Sequence, residues 1–555
     1  MSMYGADAFG EVAYGEHTYA PLDTSAFEAF LAEAESERCW LLEIDAFSLA
    51  ASDAAGAGYG DAGYGELGFG DASAGVTGGT VPQRFSTHGF ISQADDTPAR
   101  TFYEPCLNAD VTVDRRVMGR DGIGGLTQVY AEVRLINRAG ALDLLTRNYA
   151  VDGRRAQVLI GRQADARAAF GVLFTGVVET VGIGMDVVTI KLSDGSKKLD
   201  VPINATTYAG TGGLEGGADL KGKPKPLAFG HVFNVSPQLV DSVNLIYQVN
   251  DGAIYDVPNA WDRGIALSKV VGAPAAGEYS VDTAAGTITL GATPAGTVTC
   301  DVQGDASGSG YVSRTADIVL RILVNKASLY STEIEPVSFS TLNADAPAEV
   351  GIWIGAEDRT CAAAIDELLF GVGAFGGFNR QGAFNVGVVA AASGTPAATY
   401  TAQEITGVDR DPLPPVVEPV AWRALVGWQK NYTPQEDLAA GVTAARRTFA
   451  AEAWRVSKHE DASVKSRHIL ALELGLIEAL YAQEADADTE AARLFDLWSA
   501  GRAPYRVRTK LQALTRDVGQ VVVVQHPRFG FAAGISARVL GHRVRGTDVE
   551  LTVLA

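Results

Sequence analysis

The sequence predicts a mainly β, α+β protein: two antiparallel β-barrel or sandwich domains, the second interrupted by inserted helices, with a small β-sandwich and an α+β module between them. Three observations predict this class. Between Thr97 and Leu192, short β-type runs alternate with glycine and asparagine turns at the spacing of a closed or nearly closed antiparallel barrel. From Tyr505 onward the same kind of pattern returns. Neither stretch carries a catalytic constellation or a nucleotide-binding fingerprint.

With 555 residues, 47% of them hydrophobic and 8% aromatic, the chain can bury a large core and should divide into several domains. The formal net charge of -21 and a pI near 4.8 exclude a nucleic-acid surface built on clustered Lys and Arg. Such acidity suits a surface that DNA passes without sticking. Cys39, Cys106, Cys300 and Cys361 lie far apart with no CxxC pair, which predicts reduced, buried thiols in a reducing cytoplasm. The opening MSMYGADAFGEVAYG has neither a basic nor an apolar region of signal type, and no apolar run reaches the roughly 18 to 20 residues of a membrane span.

The first feature along the chain is a repeat. An aromatic followed by glycine recurs every five residues at Tyr4, Phe9 and Tyr14, and again at Tyr59, Tyr64 and Phe69. The composition fits a flexible insertion; two copies at one spacing fit better a pair of extended arms whose rings stack on each other or on a neighbouring subunit. Between them, Ser25–Glu37 reads as an amphipathic helix and Cys39–Leu49 as a buried strand. In the barrel stretch the expected strands are Val129–Ile136, Gln157–Gly161, Val172–Val181 and Val187–Leu192, with a turn at Asn137–Gly140.

From Leu199 to Pro226 the chain is dense in Gly, Lys and Pro, a loop with a local positive patch at Lys221, Lys223 and Lys225. Its GTGGLEGG run does not fit a phosphate cradle, lacking GxxxxGK[ST] and a strand-to-helix context. Leu239–Gly304 reads as a small sandwich with a Val281–Leu290 hairpin turning at Ala285-Gly286. Its aspartates (Asp251, Asp256, Asp262, Asp282 and Asp301) lack calcium-loop spacing and read as solvated turn residues. Helices at Thr315–Ser328 and Ala362–Phe370, with strands at Val350–Ile354 and Gly382–Ala391, form the α+β module. There Glu357, Asp358, Asp366 and Glu367 read as ordinary helix-start carboxylates rather than a glycosidase pair.

Asp409–Pro419 reads as a proline-rich connector and the clearest domain boundary. Ala421–Asn431 is expected as a strand returning to a β-domain, followed by helices at Gln435–Val456, Ser463–Gln483 and Thr489–Ala500. Leu470, Leu474, Ile477 and Leu480 would mark the core face of the second helix. His459 and His468 stand outside any HExxH pattern and read as packed or solvated side chains. Strands at Tyr505–Lys510, Gln520–Gln525, Ile535–Arg543 and Asp548–Leu554 close the chain, with HPRFG at His526–Gly530 in a hairpin.

Several blocks occur in a specific order: CWLLEIDAF at Cys39, TPARTFYEP at Thr97, the NRAGALD turn after Leu135, VDGRRAQVLIG at Val151 and FTGVVETV at Phe174. GKPKPLAFGHVFNVSP at Gly222–Pro237, the Trp422–Asn431 strand, EAARLFDLW at Glu490–Trp498 and the closing Asp517–Gly541 block follow. From about Cys39 to the C-terminus this order resembles the central hub proteins of the tail tip or baseplate of tailed bacteriophages. The aromatic-Gly arms depart from that pattern, as does Gln520, which stands where an acidic residue is expected.

The resemblance implies a structural virion protein of the tail tip, made in the bacterial host cytoplasm. Its two tube-like β-domains per subunit would let a homotrimer present six similar domains to a sixfold tail tube. The first would be the barrel from Cys39 to Pro202 and the second the strands around Trp422 and Val521. The expected division is arms and first strand at 1–80, first tube-like domain at 81–210 with strand 39–49, linker and sandwich at 211–310, α+β module at 311–410, and second tube-like domain at 411–555 with inserted helices at 435–500.

Expected partners are further copies of the chain, the distal tail protein or tail tube, the tape measure protein, and tail fibres or a central spike. Genomic DNA would pass through a carboxylate-lined channel without specific binding, and no membrane insertion is expected. No catalytic, cofactor-binding or metal-binding residue is assigned. A receptor- or carbohydrate-binding tail component is the alternative, motivated by the sandwich and the arms, and a wall hydrolase is third.

Overall fold

The computed structural model describes residues 25–33, 37–49, 79–117, 124–308, 310–418 and 420–555. The aromatic-Gly repeats at Tyr4–Phe9–Tyr14 and Tyr59–Tyr64–Phe69 lie outside the described residues. The protein is mainly β with several sheets and flanking helices.

Two six-strand units dominate. The first comprises β1 (Arg38–Ser48), β2 (Thr112–Arg116), β3 (Tyr130–Ile136), β4 (Arg155–Arg162), β5 (Gly171–Ile183) and β6 (Val187–Ser193). The second comprises β7 (Ala398–Tyr400), β8 (Ile405–Arg410), β9 (Pro504–Thr509), β10 (Val521–Val524), β11 (Ile535–Arg545) and β12 (Asp548–Leu554). In the first unit the spatial order is β2-β3-β6-β5-β4-β1, and in the second it is β8-β9-β12-β11-β10-β7. Each strand of one unit thus has its counterpart six labels on. The long strands β5 and β11 both change partner along their length: β5 leaves β4 for β6 with a bulge at Val178/Thr180, and β11 leaves β10 with one at Val539/Gly541. Such bulges bend a strand from one layer to the next. The units differ at this end: β1 runs antiparallel to β4 and pairs on its other side with the strand Thr80–Ser86, through which the sheet continues, whereas β7 runs parallel to β10.

β1 explains its own apolar run. Trp40, Leu42 and Ile44 point into the main core of the units, while Cys39 and Leu41 point into a second core with Phe90, Tyr103 and Phe170. A strand buried on both faces reads as continuous hydrophobic sequence. Fully burying each such side chain contributes roughly 1.5 to 3 kcal/mol. The polar exception, Glu43, is bridged by Arg167 Nη2 at 2.6 Å and by the Tyr103 hydroxyl at 2.5 Å. Burial opposes its charge, yet these partners hold its carboxyl below the usual range. Cys300 and Cys361 are buried, Cys106 is half-buried, and all four thiols are free.

The sandwich is built on Leu227–Val235, Ile254–Asp262 and Val298–Asp305, packed on a second sheet that contains the Glu278–Asp282 and Thr287–Leu290 hairpin. The α+β core joins helices Thr315–Asn325, Pro336–Asp345 and Cys361–Gly371 to the sheet of Ala374–Phe378 and Phe384–Val388.

The 411–503 stretch departs from expectation. Helix Ser463–Gln483 is instead a short helix, Ala462–Arg467, and a strand, Leu472–Tyr481. That strand runs parallel to Ala421–Trp428 with three register shifts, so its buried residues Leu474, Ala479, Leu480 and Tyr481 fall at irregular spacings, of which Leu474 and Leu480 suggest a helical face, and Leu470 is exposed. Helix Gln435–Val456 shrinks to Ala444–Ala451, capped by Thr443, before a strand at Arg455–Glu460. The third helix holds, at Glu484–Ser499. Among the described residues, Ala421–Trp428 pairs only with these two neighbouring strands and packs into the α+β core, so Trp422 does not join the Val521 strand in one sheet. The C-terminal unit already begins at β7, ahead of the proline-rich segment.

Candidate assembly surface

The two units meet edge to edge. β11 pairs antiparallel with β2, placing Gly541 opposite Arg116 and Arg545 opposite Thr112. This makes a continuous run of eight strands, β8-β9-β12-β11-β2-β3-β6-β5, four from each unit. Among the described residues, β8 pairs only with β9, and β5 beyond its bulge pairs only with β6, so both ends are open.

Alternation gives the run two unlike faces. One packs Val113, Val133, Ile190, Val507, Val544 and Leu551 into a shared core. The other carries ladders of charge. Arg508, Glu550, Arg543 and Asp114 stand side by side on β9, β12, β11 and β2, alternating in sign across the seam. The next row reads Asp548, Arg545, Thr112, Glu132 and Lys191. Arg506 and Asp409 face each other further along, and Arg116 and Arg134 complete the set.

Most of these cations sit beside carboxylates. Arg116 meets Asp114 at 2.8 Å, Arg134 meets Glu132 at 2.7 Å and Arg543 meets Asp114 at 3.7 Å. Loop carboxylates reach in as well, Asp411 to Arg506 at 2.7 Å and Asp110 to Arg545 at 3.5 Å. The strands of this face therefore hold seven Arg and Lys against five Asp and Glu; the loop residues Asp411 and Asp110 bring the acidic count to seven, and Lys510, which meets Asp548 at 2.5 Å, brings the basic count to eight. This face is not carboxylate-rich. The chain's net charge of -21 resides elsewhere.

Beneath the seam lies a buried polar set. Arg115 on β2 donates to Asp517 Oδ1 at 2.9 Å. His542 on β11 is buried with its Nε2 3.3 Å from the Ala513 carbonyl oxygen. Burial, then the nearby Arg115, pushes its pKa down to about 4. Asp194 accepts from the Val129 and Ser196 amides, and burial pushes its carboxyl up.

Elsewhere, several chemistry-bearing residues are spent on structure. Glu357 and Asp358 are exposed on a loop, Asp366 accepts from the Leu126 amide at 2.7 Å, and Glu367 is held by Arg359 and Lys430. Burial opposes the Glu367 charge, but these cations keep its pKa low. Asp282 is the exposed turn cap expected of it, whereas Asp301 is a correction: it is buried, accepts from the Asn234 amide and Asn259, and burial raises its pKa. Of the three loop lysines, Lys225 is buried against Glu215 and Tyr208. His459 lies on a strand against Phe495 and His468 is exposed. Among the described residues no group of His, Cys, Asp and Glu could hold a metal, and no helix is long and apolar enough to cross a membrane.

Sequence reasoning missed the charge ladders. Their signal was present in YAEVRLI, VTIKL, YRVRT and TDVELTVL, where charged and apolar residues alternate with period two.

No family model matches the chain, and no curated protein matches it. Solved structures do. It is similar to a tail protein from Neisseria meningitidis, with 10% identity and a TM-score of 0.38 over 82% of this chain and 93% of that one. It is similar at the same identity and TM-score to a 43 kDa tail protein of prophage MuSo2 from Shewanella oneidensis, over 82% and 96% of the two chains. A chain in the virion of a native gene transfer agent particle aligns with 14% identity and a TM-score of 0.40, over 60% of this chain and 84% of that one. These three solved structures are tail and virion proteins.

Proposed function

We propose that the chain is a non-enzymatic structural component of a phage tail, the central hub of the tail tip, in which three copies close a ring around the genome exit channel. One observation carries this reading. The open edges of the eight-strand run are counterparts of the strands already paired in its middle: β5 corresponds to β11, and β8 corresponds to β2. The junction made once within the chain can therefore be made again between copies. A head-to-tail contact of this kind closes into a ring when its rotation allows. Two like units per chain give three copies six units, which matches a threefold hub to a sixfold tube.

In this assembly the first domain is the unit β1–β6 and the second is β7–β12, with the sandwich and α+β modules outside the ring. Tail tube or distal tail protein, tape measure protein, and fibres or a spike would dock on its two ends and rim, and DNA would pass within. The test is the solution mass of the purified chain by light scattering. A species near three times 58.2 kDa supports the ring. A monomer at all concentrations, both alone and with a tail-tube protein added, overturns it and favours a receptor- or glycan-binding accessory.

A further inference from the structure

We propose that the charged face of the eight-strand run is a masked DNA-facing lining: its arginines are held by neighbouring carboxylates, so duplex DNA touches it without being retained. The proposal rests on the channel reading above. Its own basis is the ladder Arg508, Glu550, Arg543, Asp114 and the pairs around it.

Stability does not account for these pairs. Arg545 is 71% exposed, Arg543 45% and Arg116 49%, and exposed ion pairs contribute only about 0 to 1 kcal/mol each. A surface meant simply to repel phosphate would carry carboxylates alone. One meant to grip phosphate would leave its guanidinium groups free, since each phosphate neutralised releases a counterion and tightens binding. This face does neither. With positive and negative groups alternating at strand spacing, about 4.8 Å, its field cancels within a Debye length of about 8 Å, and a passing polyanion meets no deep well and no barrier. The same arginines lie within reach of a phosphate once their carboxylates are neutral.

The test is the triple variant Asp114→Asn, Glu132→Gln, Glu550→Gln in the full chain. Its control carries the same change of charge at exposed carboxylates outside this sheet, Asp219→Asn, Glu484→Gln and Asp488→Asn. Binding of a short labelled DNA duplex is followed by fluorescence anisotropy. The expected result is weak binding by the wild type and control, and at least tenfold tighter binding by the triple variant, falling roughly 40-fold between about 50 and 200 mM salt for three phosphates engaged. Equal binding by the triple variant and the control, or wild-type binding as tight as the variant's, overturns the proposal. Light scattering on the same samples reads the ring separately: a monomer whose variant gains DNA binding keeps the masked lining and loses the ring, and a trimer whose variant gains nothing does the reverse.

Discussion

Arg115 and Asp517 are 402 positions apart in sequence and meet at 2.9 Å beneath the seam between the two six-strand units. Only 6% of the Arg115 side chain is exposed. Burial disfavours its charge, and Asp517 is the first partner that offsets this. Removing that carboxylate leaves a buried cation unpaired, which costs about 3 to 5 kcal/mol. Asp517→Asn should therefore lower the calorimetric transition of the C-terminal unit, and Arg115→Met with Asp517→Leu should recover part of the loss. A double variant no better than Asp517→Asn would mean that the pair does more than satisfy itself.

His542 makes the same seam sensitive to acid. Its folded-state pKa of about 4 lies below the ordinary 6.5, because burial and the Arg115 and Arg380 charges disfavour the cation while Asp517 favours it. The neutral form is thus the folded form. The corresponding stability is complete above pH 6.5 and is lost as pH falls towards about 4, roughly 3 kcal/mol in all. His542→Gln should flatten the fall in melting temperature between pH 7 and about 4.5, the window named by this shift. Asp194, whose pKa is raised by burial, acts in the opposite sense and stays in both proteins.

The units themselves were legible because period-two alternation and turn residues are local: Tyr130–Ile136, Val187–Ser193 and Asp548–Leu554 fall within a residue or so of expectation. The seam was not, since nothing near Thr112 announces Arg545 as its neighbour across the sheet. The helix misread at Ser463–Gln483 failed for a definite reason: a bulged strand buries residues at uneven intervals, and Leu474 and Leu480 then look helical. The motif residues also proved to be joints. Asn234 of the FGHVFN run donates to Asn431, just past the Ala421–Trp428 strand, at 2.7 Å, and Asn431 in turn donates to the Phe449, Ala450 and Glu452 carbonyls. Spacing revealed the motifs; only the fold shows that they clasp each other.

Gly230 sits in that same run with φ +64°, and a Cβ there would lie 1.9 Å from the Val350 carbonyl oxygen. Backbone cannot yield as a side-chain tip can. Gly230→Ala should cost more than about 3 kcal/mol and loosen the sandwich from the α+β core, read as early proteolysis between them. Gly222→Ala, with φ +79° but open space around it, should cost only the left-handed penalty of about 1 to 2 kcal/mol.

The open edge of β5 gives the sharpest test of the ring. Gly184 donates to the Val187 carbonyl at 2.9 Å, and antiparallel pairing then aims alternate amides, those of Ile183 and Val181, away from β6. Proline at such an outward position removes a donor without breaking the existing ladder. Val181→Pro should keep the β5–β6 ladder and the secondary structure of the wild type, lowering the melting temperature only by the packing Val181 loses against the shared core, while reducing the solution mass from three chains to one. The same substitution on an inward amide, Gly182→Pro, breaks the β5–β6 ladder and should lower the melting temperature whatever the assembly does. If Val181→Pro remains trimeric, β5 is not the strand that copies share. Closure would then have to use another surface of the chain.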